Sequence, residues 1–146
     1  MLDDLGLTAS LEWQARDFEK RSGIPCKLNL AEVGAELDKE KSLAIFRIMQ
    51  EAFTNIARYS KAKNVEIRMK KTDVLVTFEV HDDGRGIKEE DILGIHSTGL
   101  IGMRERVEEL DGSFYIEGRP GDGTTIIVTF PIKKQPVSDP LEGEDA

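Results

Sequence analysis

Between Val65 and Ile132, short apolar runs of strand type arrive in two adjacent pairs, with helical patterns before and between the pairs. This order constrains the fold more than any other feature. Strands that follow one another directly pair as antiparallel neighbours, whereas a doubly wound parallel sheet needs a helix between each strand and the next. Val65 to Lys71 and Val74 to Val80 make the first pair, joined by a turn at Lys71-Thr72-Asp73. Ser113 to Gly118 and Thr124 to Ile132 make the second, a hairpin around Arg119-Pro120-Gly121-Asp122-Gly123. Cys26, Leu28 and Leu30 alternate with Lys27 and Asn29, as a half-buried strand does. Helices are predicted over Ser10 to Arg21, with Ser10 as N-cap and Gly23 and Pro25 ending it, and from about Lys39 to Ser60, capped by Asp38. A third runs from Gly102 to Leu110 and is closed by Gly112. The predicted class is α+β: a two-layer α/β sandwich whose mixed sheet of about five strands is covered on one face by about three helices.

The stretch from His81 to Gly102 is rich in Gly and Asp and poor in apolar periodicity, with one short helix predicted near Lys88 to Ile92. A loop of that length inside a compact domain is usually functional. From Lys133 onward Pro, Ser, Asp and Glu dominate, so residues 1–132 are read as one domain and residues 133–146 as an acidic, disordered tail. A chain of 146 residues fits one core. No run of about 18 apolar residues is present, and residues 1–20 lack the basic start and apolar centre of a signal peptide. Cys26 is the single cysteine, which excludes a disulfide within the chain and suits a reducing cytoplasm. The formal charge of −8, part of it in the tail, argues against a general nucleic-acid binder.

Three clusters carry chemistry. Glu51, Asn55 and Arg58 share one stripe of the long helix. At about 100° per residue, Asn55 lies roughly 40° and Arg58 roughly 20° from Glu51, and the stripe of Ile45, Ile48, Met49, Ala52, Phe53 and Ile56 is centred about 130° away. Two readings stand: a solvated helix face with a Glu–Arg pair, or a metal-and-phosphate site in which one Asn carbonyl and ligand phosphates hold Mg²⁺. Asp82-Asp83-Gly84-Arg85-Gly86 follows an apolar strand. It reads as an acidic turn, or as a turn whose glycines let a ligand approach while a carboxylate accepts from an exocyclic amine such as that of adenine. Ser97-Thr98-Gly99-Leu100-Ile101-Gly102-Met103-Arg104 places glycines before a helix start, where free N–H groups attract phosphate; a flexible loop is the alternative.

Other constellations are missing. No Gly-Lys-Ser/Thr of a Walker loop occurs, no dinucleotide glycine fingerprint follows the first strand, and no Gly-x-Ser-x-Gly elbow exists. Two histidines, His81 and His96, with one cysteine make a poor zinc set.

In order and together, the clusters resemble the N, G1 and G2 boxes of the GHKL (Bergerat-fold) ATPases, the superfamily of gyrase, Hsp90, histidine kinases and MutL. Glu51-Ala52-Phe53-Thr54-Asn55-Ile56-Ala57-Arg58-Tyr59-Ser60 resembles the N box, Asp83-Gly84-Arg85-Gly86 resembles G1, and Gly99-Leu100-Ile101-Gly102-Met103-Arg104-Glu105-Arg106-Val107 resembles G2. Gly123-Thr124-Thr125 resembles the last turn before the final strand. Phe46-Arg47-Ile48-Met49-Gln50-Glu51-Ala52, Gly102-Met103-Arg104-Glu105-Arg106 and Leu2-Asp3-Asp4-Leu5-Gly6-Leu7 look like the nitrate-sensor and desaturase-sensor type of histidine kinase. Tyr59 stands where that type often has His and the wider kinase family often has Tyr.

The resemblance implies roles. Glu51 would be the catalytic base or water-positioner, Asn55 the Mg²⁺ ligand, Arg58 a phosphate contact and Tyr59 a further nucleotide contact. Asp83 would accept from the adenine amine, with Gly84, Gly86 and Ile87 shaping its pocket. Residues from about Ile87 to Thr98 would form a mobile lid. Gly99 and Gly102 would serve as its hinge and phosphate contact, beside Leu100 and Met103, and Thr124 would lie near adenine. The implied cofactors are ATP and Mg²⁺. The implied partners are the phosphoacceptor dimerisation helices of the same protein and a response-regulator receiver domain. Neither His81 nor His96 sits on a predicted dimerisation helix, so the phosphorylated histidine belongs upstream. The whole protein would be a homodimer, with these residues alone monomeric and cytoplasmic and any membrane anchor lying upstream. An anti-sigma-factor serine kinase of the same fold and an ATP-sensing module without transfer are the alternatives.

Overall fold

The computed structural model describes residues 2–86 and 98–132; the side chains of residues 2–4, 59, 60 and 98 also lie outside the description. Ile87, most of the expected lid with its short helix, and the expected acidic tail fall outside the described residues. The elements are α1 (Leu2–Ser22), β1 (Cys26–Leu30), α2 (Lys39–Asn55) running into a π-helical turn (Ile56–Ser60), β2 (Val65–Lys71), β3 (Leu75–Asp82), α3 (Thr98–Glu109), β4 (Ser113–Arg119) and β5 (Gly123–Pro131).

The five strands form one sheet in the order β1-β2-β3-β5-β4. β1 runs parallel to β2, as the α2 crossover between them requires, and the remaining pairs are antiparallel. The sheet is therefore mixed, and the sandwich is the one anticipated. Its helix-facing side alternates inward: Val65, Ile67 and Met69 on β2, Val76, Phe78 and Val80 on β3, and Ile126, Val128 and Phe130 on β5 are all buried. The other side presents Arg68, Lys70 and His81 to solvent. Against the apolar side lie Leu11, Ala15 and Phe18 of α1, Ile45, Ile48, Met49, Ala52 and Phe53 of α2, and Leu100 and Val107 of α3. Phe18 and Phe53 stack with ring centroids 4.1 Å apart, fastening α1 to α2.

Three boundaries differ from the sequence expectation. α1 begins well before Ser10, with a break at Gly6 (φ 78, ψ 172). Ser10 is buried inside the helix and its hydroxyl donates to the Gly6 carbonyl at 2.7 Å, so it back-bonds rather than caps. The buried Thr8 tethers this end, donating to the Ala31 carbonyl and accepting from the Val33 amide. α3 begins at Thr98 rather than Gly102, which puts Gly99 and Gly102 inside the helix. At its far end Asp111 takes the left-handed conformation (φ 64), with the Gly112 amide bonded to the Val107 carbonyl and the Asp111 amide to that of Glu108. The Asp38 cap is present: its Oδ1 accepts from the Lys41 amide at 2.9 Å. Among the described residues no helix is long and apolar enough to cross a membrane.

Candidate functional site

β3 sets one end of the site. It extends two residues beyond Val80, so the alternation Val76, Phe78, Val80 continues to Asp82 and turns that carboxylate to the helix side. Asp82 is 5% exposed, its Oδ1 accepts from the Gly84 amide at 2.8 Å, and it stands opposite the buried Thr124 of β5. Burial pushes the Asp82 carboxyl above the usual aspartate range, against the lowering effect of the Gly84 and Thr124 amides. Two glycines let the backbone close around it. Gly123 (φ 91) lies so near the Asp82 carbonyl that a Cβ there would overlap it. Gly86 (φ 84) also lies too near the Arg119 carbonyl for a Cβ, while the Gly121 amide donates to Arg85 O at 3.1 Å. The turn after β3 is thus docked onto the β4–β5 hairpin through positions that no side chain can occupy.

Asp83 is placed differently from the sequence expectation. It is exposed and faces away from the helix-side interior. Its Oδ1 accepts from the amides of Lys63 and Asn64 at 2.8 and 2.9 Å, and its Oδ2 from Asn64 Nδ2 at 3.0 Å. With both oxygens engaged by the loop after the π turn, the carboxylate sits below the usual range, chiefly through the Asn64 side chain. Asp82 is therefore a candidate that the sequence reading did not single out. The signal was available in the period-2 pattern, since Asp82 continues the buried positions of β3 and Asp83 does not.

α2 sets the other end. Glu51 and Asn55 are half-buried and Arg58 is exposed. Glu51 and Arg58 form no ion pair among the described residues, so the simple paired-face reading does not hold. The Glu51 carboxylate instead rests against the first turn of α3, where a Cβ on Gly99 would overlap it. A helix N-terminus carries partial positive charge and accommodates such an anion. Leu100 is 2% exposed and belongs to the apolar core, and Met103 is half-buried against it. Gly102 is exposed with open space around it. Asn55 makes no side-chain capping bond at the start of the π turn. Tyr59 lies within that turn, its side chain outside the description.

A groove of about 720 Å³ between α1 and α2 is bordered by Gln14, Phe18, Phe53 and Met103, with Glu51 and Arg58 at its edge. Asn55, Asp82, Gly84 and Gly86 do not line it, so it is not the space that Asp82 faces.

Residues 40–134 match the family described as histidine kinase-, DNA gyrase B- and HSP90-like ATPases. The chain is 35% identical over 131 residues to the signal transduction histidine-protein kinase/phosphatase DegS of Brevibacillus brevis, covering 90% of this chain and 34% of that protein. It is 32% identical over 131 residues to the oxygen sensor histidine kinase NreB of Staphylococcus carnosus, covering 90% and 38%. It therefore spans little more than a third of the length of these relatives. Among solved structures, the histidine kinase domain of a blue-light activated histidine kinase from Erythrobacter litoralis EL346 superposes with a TM-score of 0.73 at 23% identity, over 86% of this chain and 61% of that one. The Acinetobacter baumannii histidine kinase AdeS gives 0.69 at 18%, over 87% and 64%. At those identities the likeness is one of fold.

Proposed function

The chain belongs to the histidine kinase-, DNA gyrase B- and HSP90-like ATPase family, and from that premise we propose that it is the ATP-binding catalytic domain of a two-component sensor histidine kinase. In this reading the domain supplies the γ-phosphate to a histidine on upstream dimerisation helices, and a response-regulator receiver domain takes it next. The observation that carries the reading is the inward-facing carboxylate of Asp82, set at a strand end behind a turn that glycines hold against the β4–β5 hairpin. A carboxylate so placed accepts from the exocyclic amine of adenine and opposes the carbonyl that guanine presents at the same position.

Each side chain then has a task. Asp82 orients the base, and the Gly84 amide holds its carboxylate in place through Oδ1. Thr124 stands beside it. The first-turn amides of α3, near Gly99, attract phosphate. Glu51 and Arg58 act at the phosphate end, as base or water-positioner and as counter-charge. Asn55 suits Mg²⁺, because its amide oxygen is not spent on capping and is the hard donor that this ion prefers. Bound there with the nucleotide, the ion would neutralise phosphate charge. The two relatives are named as kinases of this class, which supports the reading. The whole protein is proposed to act as a cytoplasmic-facing homodimer.

Calorimetry with ATP and Mg²⁺ tests the reading. Saturable heat with a dissociation constant in the micromolar range or weaker is expected. Absence of both heat and thermal shift at millimolar ATP and ADP overturns it.

A further inference from the structure

Asp83 has no place in the base-recognising role, yet it makes one of the denser sets of hydrogen bonds in the chain. Besides the three bonds to its carboxylate, its own amide donates to the Asn64 carbonyl at 3.3 Å. These bonds lie beyond the sheet: the β2–β3 ladder ends at the Val65–Asp82 pair, and Asp83 extends the tie to Lys63. What it ties down is unusual. The helix that carries Glu51 and Asn55 does not end as an α-helix. It widens into the π turn Ile56–Ser60, which contains Arg58, and then reverses at Lys61 in the left-handed conformation (φ 54). A π turn shifts hydrogen bonding from i→i+4 to i→i+5 and is an uncommon geometry that needs support from its surroundings. Four residues, 61–64, separate its end from β2. Two of the four are held by Asp83, and Ala62 between them and Lys61 is buried.

We propose that Asp83 is a positioning residue: its clamp on Lys63 and Asn64 holds the π turn that follows Asn55 and presents Arg58 to the nucleotide's phosphates, and so links the phosphate end of the site to the turn bearing Asp82. The proposal rests on the nucleotide-binding reading but is separable from it, because it predicts which part of the ligand feels the loss. Without the clamp, the π turn is free to rewind toward α-helical register and to turn Arg58 about the axis. Asp82 keeps its place, since the β3–β5 pairing and Gly84 hold it. The Asp83 carboxylate acts here as a hydrogen-bond acceptor and not as a charge facing the ligand. An amide therefore replaces it well: Asn at this position still accepts from the Lys63 and Asn64 amides, and the Asn64 side chain can flip to offer its oxygen to the new NH₂.

The test compares ATP·Mg²⁺, ADP·Mg²⁺ and adenosine on Asp83→Ala, Asp83→Asn, Asn64→Ala and the unmodified chain, with thermal melts confirming that each is folded. Asp83→Ala is expected to weaken ATP·Mg²⁺ and ADP·Mg²⁺ by roughly tenfold and adenosine by less than about twofold, with Asp83→Asn within about twofold of the unmodified chain for all three. Asn64→Ala, which removes one bond of the set, gives a smaller loss with the same dependence on phosphate and stands in if Asp83→Ala does not fold. Equal losses for adenosine and ATP, no loss for either, or an Asp83→Asn variant as weak as Asp83→Ala each overturns the proposal. An unmodified chain that binds none of the three ligands removes the nucleotide-binding reading itself, and the clamp's role with it.

Discussion

Two adjacent carboxylates with opposite orientations show how much one residue of register decides. Asp82 is buried with an oxygen on the Gly84 amide; Asp83 is exposed with both oxygens on Lys63 and Asn64. Replacing Asp82 by Asn puts an NH₂ where an acceptor stood, so that either the Gly84 amide or the adenine amine meets a donor. Leaving one such buried group unmet costs about 1–3 kcal/mol, hence a tenfold to hundredfold weaker ATP affinity is expected for Asp82→Asn, with the preference for ATP over GTP diminished. Calorimetry with both nucleotides decides; an Asp82→Asn variant that binds ATP like the unmodified chain excludes the role. Asp83 is predicted to show itself in acid instead. Its folded pKa is lowered, so the stability it contributes is present above the ordinary aspartate range and is lost as pH falls through the folded value. Urea melts across that range should show the gap in stability between the unmodified chain and Asp83→Asn closing on acidification. A gap independent of pH contradicts this. The motif reading alone could not separate the pair, because Asp-Asp-Gly offers two carboxylates to one role. The strand pattern could have, had the strand been carried past Val80 to its true end.

Elements were legible where a stripe or an alternation ran to completion, and less so at their ends. The long helix of residues 39–60 was readable from its apolar stripe, and Asp38 from its position ahead of that stripe. Replacing Asp38 with Ala leaves the Lys41 amide without its acceptor and is expected to lower stability by about 1 kcal/mol with no change in nucleotide affinity. Thermal melts and calorimetry on the one variant check both halves, and a drop in affinity would mean that the cap positions the site as well. Ser10 misled because a hydroxyl ahead of an apolar run is also what a back-bonding Ser inside a helix looks like; the extra turns of α1 come from tertiary support, with Leu7 buried and Thr8 held by Ala31 and Val33. The resemblance implied a hinge and phosphate contact at Gly99 and Gly102; what it did not indicate is that the Glu51 carboxylate fills the space a Cβ on Gly99 would need, a contact between residues distant in sequence. The π turn left no local mark, since Ile56 continues the apolar stripe of the helix before it.

Across the whole molecule the proposed site would join two layers. The sheet carries Asp82 and Thr124, with Gly84 in the turn after β3, and the helical layer carries Glu51, Asn55, Arg58 and the first turn of α3. The mixed sheet of about five strands was inferable from strand pairing, but the order β1-β2-β3-β5-β4, which makes β3 and β5 neighbours and so brings Thr124 beside Asp82, depends on long-range pairing that no local pattern encodes. In the proposed reading, Glu51 is the residue through which binding and chemistry would separate at this scale. Its carboxylate lies on the first turn of α3, and Gln has nearly its size, so Glu51→Gln keeps the fit against Gly99 and is expected to bind ATP·Mg²⁺ within about threefold of the unmodified chain. The charge near the α3 N-terminus is lost, which lowers stability by about 0.3–1 kcal/mol. A residue that takes or orients a proton in the transition state contributes about 10²–10⁴ in rate, so in a longer chain that includes the proposed phosphoacceptor helices, phosphoryl transfer should slow by that order while nucleotide affinity holds. Single-turnover transfer of labelled γ-phosphate at saturating ATP measures the chemical step apart from binding. Transfer at the unmodified rate shows that Glu51 only accompanies the α3 terminus. Loss of binding in step with transfer places it among the nucleotide contacts. A slow step with intact binding is the signature of a catalytic carboxylate.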